Sequence, residues 1–395
     1  MTVSTSLLLF VVGVGILQGV FLACLIYFHP SSDRTVNKFL SLYILCYCIP
    51  MFTPVVHAFY SWQELILFDP FITLIGPFLF LYVRSFKETI TTRKAWPHFI
   101  FPILYAFFNF YLYRTFVNEF PDTKVFPAEI PHRPIMIFRV LLRISQMIIY
   151  FFLASRALTI HQRSIQHLFS ETSKINLSWV RWLINGYMAL LLLMISLYVL
   201  ILQNPDRFAL IILINTALVT PYLYAVSFRG ITQPMLWQLK HGLSKDVVEV
   251  EIREAEEIEQ ELPTSTRNQK VTISPDKRDQ ITSGILRLME EERLFLQSEL
   301  TLQDLADSLA TPSYQVTQAL NDGIKKNFYD LVNGYRVEEA KRMLIDPANK
   351  NSKILTVGLE AGFNSKTTFN TVFKKFTGFT PSEFKDQHPV ALAQN

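Results

Sequence analysis

The sequence predicts an all-α protein in which a polytopic seven-helix transmembrane bundle precedes a cytoplasmic domain with two helix-turn-helix units. Half of the 395 residues are hydrophobic and only 18% are charged, whereas a soluble domain carries roughly 25% charged residues. The charges are also unevenly placed. Residues 1–240 carry 18 Lys and Arg against 9 Asp and Glu, and residues 280–395 carry 13 against 14. A membrane half followed by a water-soluble half accounts for both observations.

Seven apolar runs are long enough to cross a hydrocarbon layer of about 30 Å, which takes about 20 helical residues. They lie near 4–28, 37–58, 66–86, 96–113, 135–158, 180–203 and 208–228. The first run is not typical of a cleaved signal peptide, because it lacks a basic n-region and a small-residue cleavage site. Pro77 in the third run predicts a kink, since proline removes a backbone hydrogen bond. Residues 1–230 are therefore predicted to form the transmembrane domain.

The charges of the loops predict the orientation of these helices. The loops after the first, third and fifth runs hold ten Lys and Arg, whereas the loops after the second, fourth and sixth hold four. Positively charged residues stay on the cytoplasmic side of a membrane. The N-terminus is therefore predicted outside and the soluble half in the cytoplasm.

Residues 231–279 are predicted to be an acidic linker. Within residues 244–262, Val248, Ile252, Ala255 and Leu262 follow alternating steps of four and three residues in a series that Glu259 interrupts. This is the spacing of a short coiled-coil seam that pairs two chains into a homodimer. The same pattern also fits a solvated acidic helix with a weak apolar stripe. Residues 263–280, which are rich in Pro, Ser and Asn, are interpreted as a flexible joint.

A first helix-turn-helix unit is predicted after residue 300. Thr301 precedes an apolar stripe of Leu302, Leu305, Ala306 and Leu309, which is the pattern of a capped amphipathic helix. A second helix, 313–322, follows Pro312. Its inward residues are Val316, Ala319 and Leu320, and its outward residues are Tyr314, Gln315, Thr317, Gln318 and Asn321. Two short helices around a tight turn, the second exposing hydrogen-bonding side chains, define the unit.

The pattern recurs after a longer helix predicted at about 328–345. The inward stripe is Ile354, Val357, Gly358 and Ala361. Gly362 makes the turn, because glycine adopts the left-handed backbone conformation without steric cost. Ser365 caps the next helix. That helix has Phe369, Val372, Phe373 and Phe376 inward, and Lys366, Thr367, Asn370, Thr371 and Lys374 outward.

The run GFNSKTTFNTVFKKFTGFTPSEF, from Gly362 to Phe384, resembles the second helix-turn-helix signature of AraC/XylS-type bacterial transcription regulators. Upstream, LTLQDLADSLATPSYQVTQALN and YRVEEAKRML resemble the first unit and the connecting helix. The resemblance covers about 280–388, before a tail at 389–395. The stretches GPFLFLYV (76–83) and HFIFP (98–102) are similar to a subgroup whose seven-helix membrane domain senses signals.

Two positions depart from the pattern of the helix-turn-helix units. Lys325 replaces a turn glycine and should alter the exit of the first recognition helix, whereas Gly358 replaces a small alanine and should be tolerated.

The resemblance implies a regulator in the bacterial inner membrane that presents two recognition helices to successive major grooves of promoter DNA. The residues matching base-contacting positions are Tyr314, Gln315, Thr317, Gln318, Lys366, Thr367, Asn370 and Thr371, with Lys374 and Lys375 nearer the phosphates. The side chains at these positions suit base contacts, since Gln and Asn can form two hydrogen bonds with an adenine edge. The soluble half has no positive surplus, which is unusual for a DNA-binding domain. Binding should therefore depend on a few local lysines.

A second hypothesis is a receptor or transporter-like protein whose helical tail binds a protein partner. The acidic linker and the nearly neutral soluble half favour it. An enzyme is not expected, because the sequence has no nucleotide-binding loop, metal-ligand spacing or nucleophile motif. No cofactor is predicted for the same reason.

Arg139 and Arg143 lie inside the fifth apolar run, four residues apart and therefore on one helix face. Guanidinium groups facing lipid are costly, so both should face the bundle interior and be paired there. Asp69 in the third run is the only carboxylate placed among the helices. In one interpretation Arg139 extends to the interface and Arg143 pairs with Asp69, a structural arrangement. In the other, the two arginines form a pocket for an external anion and the signal acts there.

Overall fold

The computed structural model describes residues 3–28, 34–121, 125–172, 177–231, 273–349 and 351–388. Every named element in these ranges is a helix. The described residues divide into two compact units. Residues up to Thr159 and from Leu177 to Ile231 form the first unit, and residues Ile160–Thr172 and from Ile273 onward form the second. The predicted coiled-coil segment 244–262 and the tail 389–395 lie outside the described residues.

The first unit contains most of the apolar sequence. Its helices are α1 (Val3–Phe28), α2 (Arg34–Cys48), α3 (Thr53–Phe59), α4 (Leu65–Arg84), α5 (Thr92–Ala95), α6 (Ile100–Glu119), α7 (Pro134–Leu168, which continues into the second unit), α8 (Ser178–Gln203) and α9 (Phe208–Ile231). Six segments of the described chain are long and apolar enough to cross a membrane, namely Thr35–Phe59, Trp62–Arg84, Thr92–Glu119, Pro134–Leu168, Ser178–Gln203 and Pro205–Gly230. The first apolar run forms α1, in which Val12–Phe28 is a shorter apolar helix. The count of seven spanning helices stays a prediction.

Helix α4 continues from Leu65 to Arg84 although it contains Pro70 and Pro77. Gly76 lies beside α7, and a Cβ atom added to it would lie 2.7 Å from the Cβ atom of Tyr150. Only a residue without a side chain permits this approach, because real Cβ contacts are longer. The glycine therefore lets α4 and α7 pack closely, and these two helices carry Asp69 and Arg143.

The core of the first unit is rich in tyrosine as well as aliphatic residues. Tyr43 and Tyr187 are fully buried. The hydroxyl of Tyr43 lies 2.7 Å from that of Tyr222, and the hydroxyl of Tyr187 donates to the carbonyl oxygen of Met147. Each phenol thus has the partner that a buried polar group needs. The three cysteines, Cys24, Cys46 and Cys48, are free thiols.

The second unit contains shorter, more polar helices. They are α10 (Pro275–Glu290), α11 (Leu302–Ser308), α12 (Ser313–Gln318, continued by a π-helical turn Ala319–Ile324), α13 (Phe328–Ile345), α14 (Ile354–Glu360), α15 (Lys366–Thr377) and α16 (Pro381–Gln387). The flexible joint predicted at 263–280 extends too far. Ser274 accepts a hydrogen bond from the amide of Lys277 and so caps α10 at Pro275, a favoured combination of N-cap and first-turn residue.

Two hydrophobic cores share helix α13. One core joins α10, α11 and α12 to the start of α13 and includes Leu305, Val316 and Phe328. The other joins the rest of α13 to α14, α15 and α16 through Val357 and Phe369. Helix α13 therefore connects two small helical domains, one around each of the predicted helix-turn-helix units.

Phe376 was predicted to face inward, and that prediction is wrong. Its side chain is 39% exposed. The ring of Phe384 on α16 packs against Phe373 at this end of the core, with 5.4 Å between ring centroids. Because that place is filled, Phe376 remains at the edge of the domain.

Gly362 and Gly378 both have positive φ, at 92° and 84°, but their surroundings differ. A Cβ atom at Gly362 would lie 2.6 Å from the carbonyl oxygen of Phe295, whereas nothing lies within 4 Å of one at Gly378. We expect Gly378→Ala to cost about 1–2 kcal/mol, the penalty of a left-handed alanine. Gly362→Ala should cost clearly more, because backbone must also move. Hydrogen exchange of α13 and α15 amides in the intact chain measures both, and equal costs would contradict the crowding at Gly362.

Candidate nucleic-acid interface and a buried polar cluster

The first helix-turn-helix unit begins with a reciprocal cap. The Thr301 hydroxyl accepts from the amide of Asp304, and the Asp304 carboxylate accepts from the amide of Thr301. This capping box satisfies two of the free amides at the start of α11. The following turn leads into α12, the first predicted recognition helix.

Helix α12 carries four of the residues predicted to contact DNA. Tyr314 is 37% exposed, and Gln315 is half-buried and donates to the Tyr314 hydroxyl at 2.9 Å. Gln318 is half-buried and accepts from the amide of Ile273 at 3.3 Å. Tyr314 is thus exposed, whereas Gln315 and Gln318 are partly exposed and each forms a hydrogen bond within the protein.

Thr317 differs from the outward position predicted for it. The side chain is buried, and its hydroxyl donates to the carbonyl oxygen of Ser313 at 3.1 Å. Threonine often bonds the carbonyl four residues back in a helix. Because this bond satisfies the hydroxyl inside the helix, Thr317 is not positioned to contact a base.

Lys325 ends the π-helical turn after α12 with φ of +61°. This is the left-handed conformation that glycine adopts freely. The lysine adopts the glycine conformation at a cost of about 1–2 kcal/mol.

Helix α15, the second predicted recognition helix, begins at Ser365, whose hydroxyl accepts from the amide of Thr368 at 3.2 Å. Five of the predicted outward residues lie at its surface. Lys366, Thr367, Thr371 and Lys374 are exposed, and Asn370 is half-buried.

The inward face of α15 is held against α14 by close contact. A Cβ atom at Gly358 would lie 2.5 Å from the ring of Phe369. The glycine in place of the usual alanine therefore makes room for this ring, which is fully buried. The absence of a side chain at Gly358 and the buried ring of Phe369 are therefore sterically complementary.

Lys375 is engaged within the protein. Its ammonium lies 2.9 Å from the carboxylate of Asp330 and 5.1 Å from the ring centroid of Tyr329, both on α13. Lys374 is one residue away and exposed. The two lysines that were predicted near phosphates thus differ, since Lys375 also ties α15 to α13.

Arg336 on α13 is an important residue that was not singled out from the sequence. It is 1% exposed, and its guanidinium donates to the carbonyl oxygens of Phe295 and Gln297 at 2.7 and 2.6 Å. Burial lowers the pKa of Arg336 to about 10, and the Glu171 carboxylate acts in the opposite direction. A sequence signal existed, because Arg336 is spaced four residues from both Val332 and Ala340 in the inward stripe of α13.

In the first unit, the structure brings Asp69, Arg139 and Arg143 together. Arg143 donates to one carboxylate oxygen of Asp69, and the Tyr105 hydroxyl donates to the other at 2.6 Å. The Nε atom of Arg139 lies 3.9 Å from the same carboxylate. The expected pairing of Arg143 with Asp69 is thus present in the bundle.

Arg139 lies largely inside the first unit. Its side chain is 15% exposed, and its Nη1 atom donates to the side-chain oxygen of Asn109 at 3.3 Å. The Nε atoms of both arginines are buried without a hydrogen-bond acceptor. Among the described residues, Asp69 is the only carboxylate paired with either guanidinium, so the cluster has one surplus positive charge.

Comparison with known proteins identifies the C-terminal part of the chain. The family described as "Helix-turn-helix domain" matches residues 305–387. Uncharacterized HTH-type transcriptional regulators of Staphylococcus aureus strains COL, MSSA476 and N315 are 23% identical over 134 residues. This alignment covers 34% of the chain and only 16% of each relative. No solved structure matches significantly. The C-terminal part is therefore an AraC-type helix-turn-helix domain homologous to transcriptional regulators.

The left-handed Lys325 gives a test of the turn after α12. We expect Lys325→Gly to stabilise the second unit by about 0.5–1 kcal/mol, because the relief of backbone strain exceeds the entropy cost of a glycine. Lys326→Gly is the matched control, since it removes the same charge from the next residue, whose φ is not positive. Hydrogen exchange of the α12 and α13 amides reports both changes. A loss of protection in Lys325→Gly equal to that in the control would contradict the strain.

Proposed function

We propose that this protein is a membrane-embedded one-component transcription regulator. It binds promoter DNA through the two helix-turn-helix units and responds to a signal at its transmembrane domain. The observation that carries the proposal is the AraC-type domain in one chain with six apolar helices of membrane-spanning length. The distribution of loop charges supports an external N-terminus and a cytoplasmic second unit.

The two recognition helices suit successive major grooves on one face of the duplex. Both are packed on α13, and the grooves on one face recur about every 34 Å. In this proposal Asn370 and Gln318 bond base edges, since a carboxamide can bond adenine bidentately. Tyr314, Gln315, Lys366, Thr367 and Thr371 line the same faces, and Lys374 contacts a phosphate.

The Asp69 cluster is the proposed place of signal recognition. Two buried guanidinium groups share one carboxylate, and both Nε atoms have hydrogens available. A small anion with a carboxylate or sulfate group offers the missing charge and acceptors. Its binding rearranges α4 and α7, the helices that contribute Asp69 and Arg143.

DNA reading is tested on the intact chain, first by isolating the DNA that is crosslinked to it in the membrane fraction. The captured sites should show two protected patches about 34 Å apart. Asn370→Ala should weaken a captured site by about 1–3 kcal/mol and leave random duplex unchanged. Lys374→Ala should weaken both duplexes and reduce the slope of log affinity against log salt by about 0.9. Equal effects of the two variants on captured and random DNA would contradict these roles.

The anion site predicts different behaviour for its two arginines. Arg139→Gln should reach the membrane in wild-type amounts, because Asp69 keeps its bonds to Arg143 and Tyr105. It should lose the rise in unfolding temperature that sulfate or a carboxylate causes in the wild type. Arg143→Gln should lower abundance, since a buried carboxylate without its ion pair costs about 3–5 kcal/mol. The site is excluded if these anions stabilise the wild type no more than chloride at equal ionic strength.

A further inference from the structure

Residues 168–172, which we name the α7 loop, pack as part of the second unit. Leu168 is buried in the core formed by α10, α11 and α12. Phe169 forms an antiparallel bridge with Thr301, and the amide and hydroxyl of Ser170 both donate to the carbonyl oxygen of Leu300, at 3.3 and 2.6 Å. The loop is thus attached at the start of the first helix-turn-helix unit.

The α7 loop also contacts the connecting helix α13. The side-chain amide of Asn333 donates to the carbonyl oxygen of Ser170 at 2.9 Å, and the Arg336 guanidinium donates to the Ser170 hydroxyl at 3.2 Å. Asn333, Arg336 and Ser170 are all 0–1% exposed. Buried polar groups in a fully bonded network fix one geometry, because each lost partner leaves another group unsatisfied.

A third contact reaches the second helix-turn-helix unit. The Thr368 hydroxyl, in the first turn of α15, donates to the Glu171 carboxylate at 3.3 Å. The same carboxylate interacts electrostatically with Arg336, whose hydrogen-bond acceptors are all uncharged oxygens. Glu171 therefore supplies a counter-charge to the buried guanidinium while it holds the start of the second recognition helix.

The residues proposed to read DNA remain accessible beside the loop. Tyr314, Lys366, Thr367 and Thr371 are exposed, whereas the loop's contacts on α13 and α15 are to buried residues. The loop therefore does not occupy the reading faces. The loop adds to the direct contact between the two helix-turn-helix units, where Gly362 lies against the backbone of Phe295 and Leu296.

We propose that the α7 loop is a brace that fixes the spacing of the two helix-turn-helix units. The inference rests on the proposed DNA-binding function and specifies how that function is regulated. A duplex with both half-sites requires the two recognition helices to reach two grooves at once. A duplex with one half-site requires only one recognition helix to reach its groove, whatever the distance to the other helix. Because α7 is continuous from Pro134 to Leu168, the brace is delivered by the helix that carries Arg139 and Arg143.

The test compares complete and half-site duplexes on the full chain in nanodiscs. The complete site is a captured genomic sequence, and in the half-site duplex one of its two protected patches is scrambled. Glu171→Gln should weaken the complete site about tenfold and change half-site affinity less than twofold, since it removes one charge-assisted interaction. Ser170→Ala, which removes the hydroxyl shared by Leu300 and Arg336, should give the same pattern.

Glu338→Gln is the matched control, because it also removes one negative charge from the second unit. Glu338 is exposed on α13 and pairs with Lys341. Its effects on the two duplexes should be equal, as for any long-range charge. The brace is overturned if Glu171→Gln matches this control, weakens both duplexes equally, or strengthens the complete site. A wild-type chain that binds no genomic duplex would instead refute the proposed function.

Discussion

The buried guanidinium of Arg336 is the interaction on which the arrangement of the second unit depends. Burying an unpaired charge costs several kcal/mol, so its partners must be held in place. They come from separate parts of the chain, namely the carbonyls of Phe295 and Gln297 before α11 and the hydroxyl of Ser170 after α7. The ring of Phe363, in the turn of the second helix-turn-helix unit, lies 5.9 Å from the same group. Arg336 therefore contacts both predicted helix-turn-helix units and the α7 loop.

The first unit depends on the same physical constraint. The Asp69 carboxylate compensates Arg143 by direct hydrogen bonding, but Arg139 lies 3.9 Å away and bonds a neutral amide. A charge that is only half compensated at low dielectric is sensitive to any added anion, because electrostatic interactions are weakly screened there. Both buried arginine sites are connected to α7, which carries Arg139 and Arg143 and leads directly into the loop that contacts Arg336. This helix is thus the covalent link between the proposed signal and the proposed DNA contacts.

Local signals in the sequence predicted most of the second unit. Thr301 and Ser365 cap the helices that they were expected to cap, and α13 has the bounds predicted for the connecting helix. The two errors have different causes, one within a helix and one in tertiary packing. Thr317 bonds its own helix, and Phe376 is displaced to the edge. The packing of residues 160–172 with the second unit could not be predicted, because these residues contact positions more than 100 residues away in the sequence.

The charge balance explains why fixed spacing matters in this protein. The second unit lacks the positive surplus that gives most DNA-binding domains their sequence-independent affinity. Lys375 is paired with Asp330, which leaves Lys366 and Lys374 as the lysines of α15 without an ion pair among the described residues. Weak phosphate attraction lowers binding to all DNA, so discrimination must come from base contacts and from their simultaneous formation. Two recognition helices held at one separation bind strongly only where both half-sites lie in phase. In the proposed arrangement, the α7 loop that holds this separation raises affinity at complete sites and leaves the weak binding to other DNA unchanged.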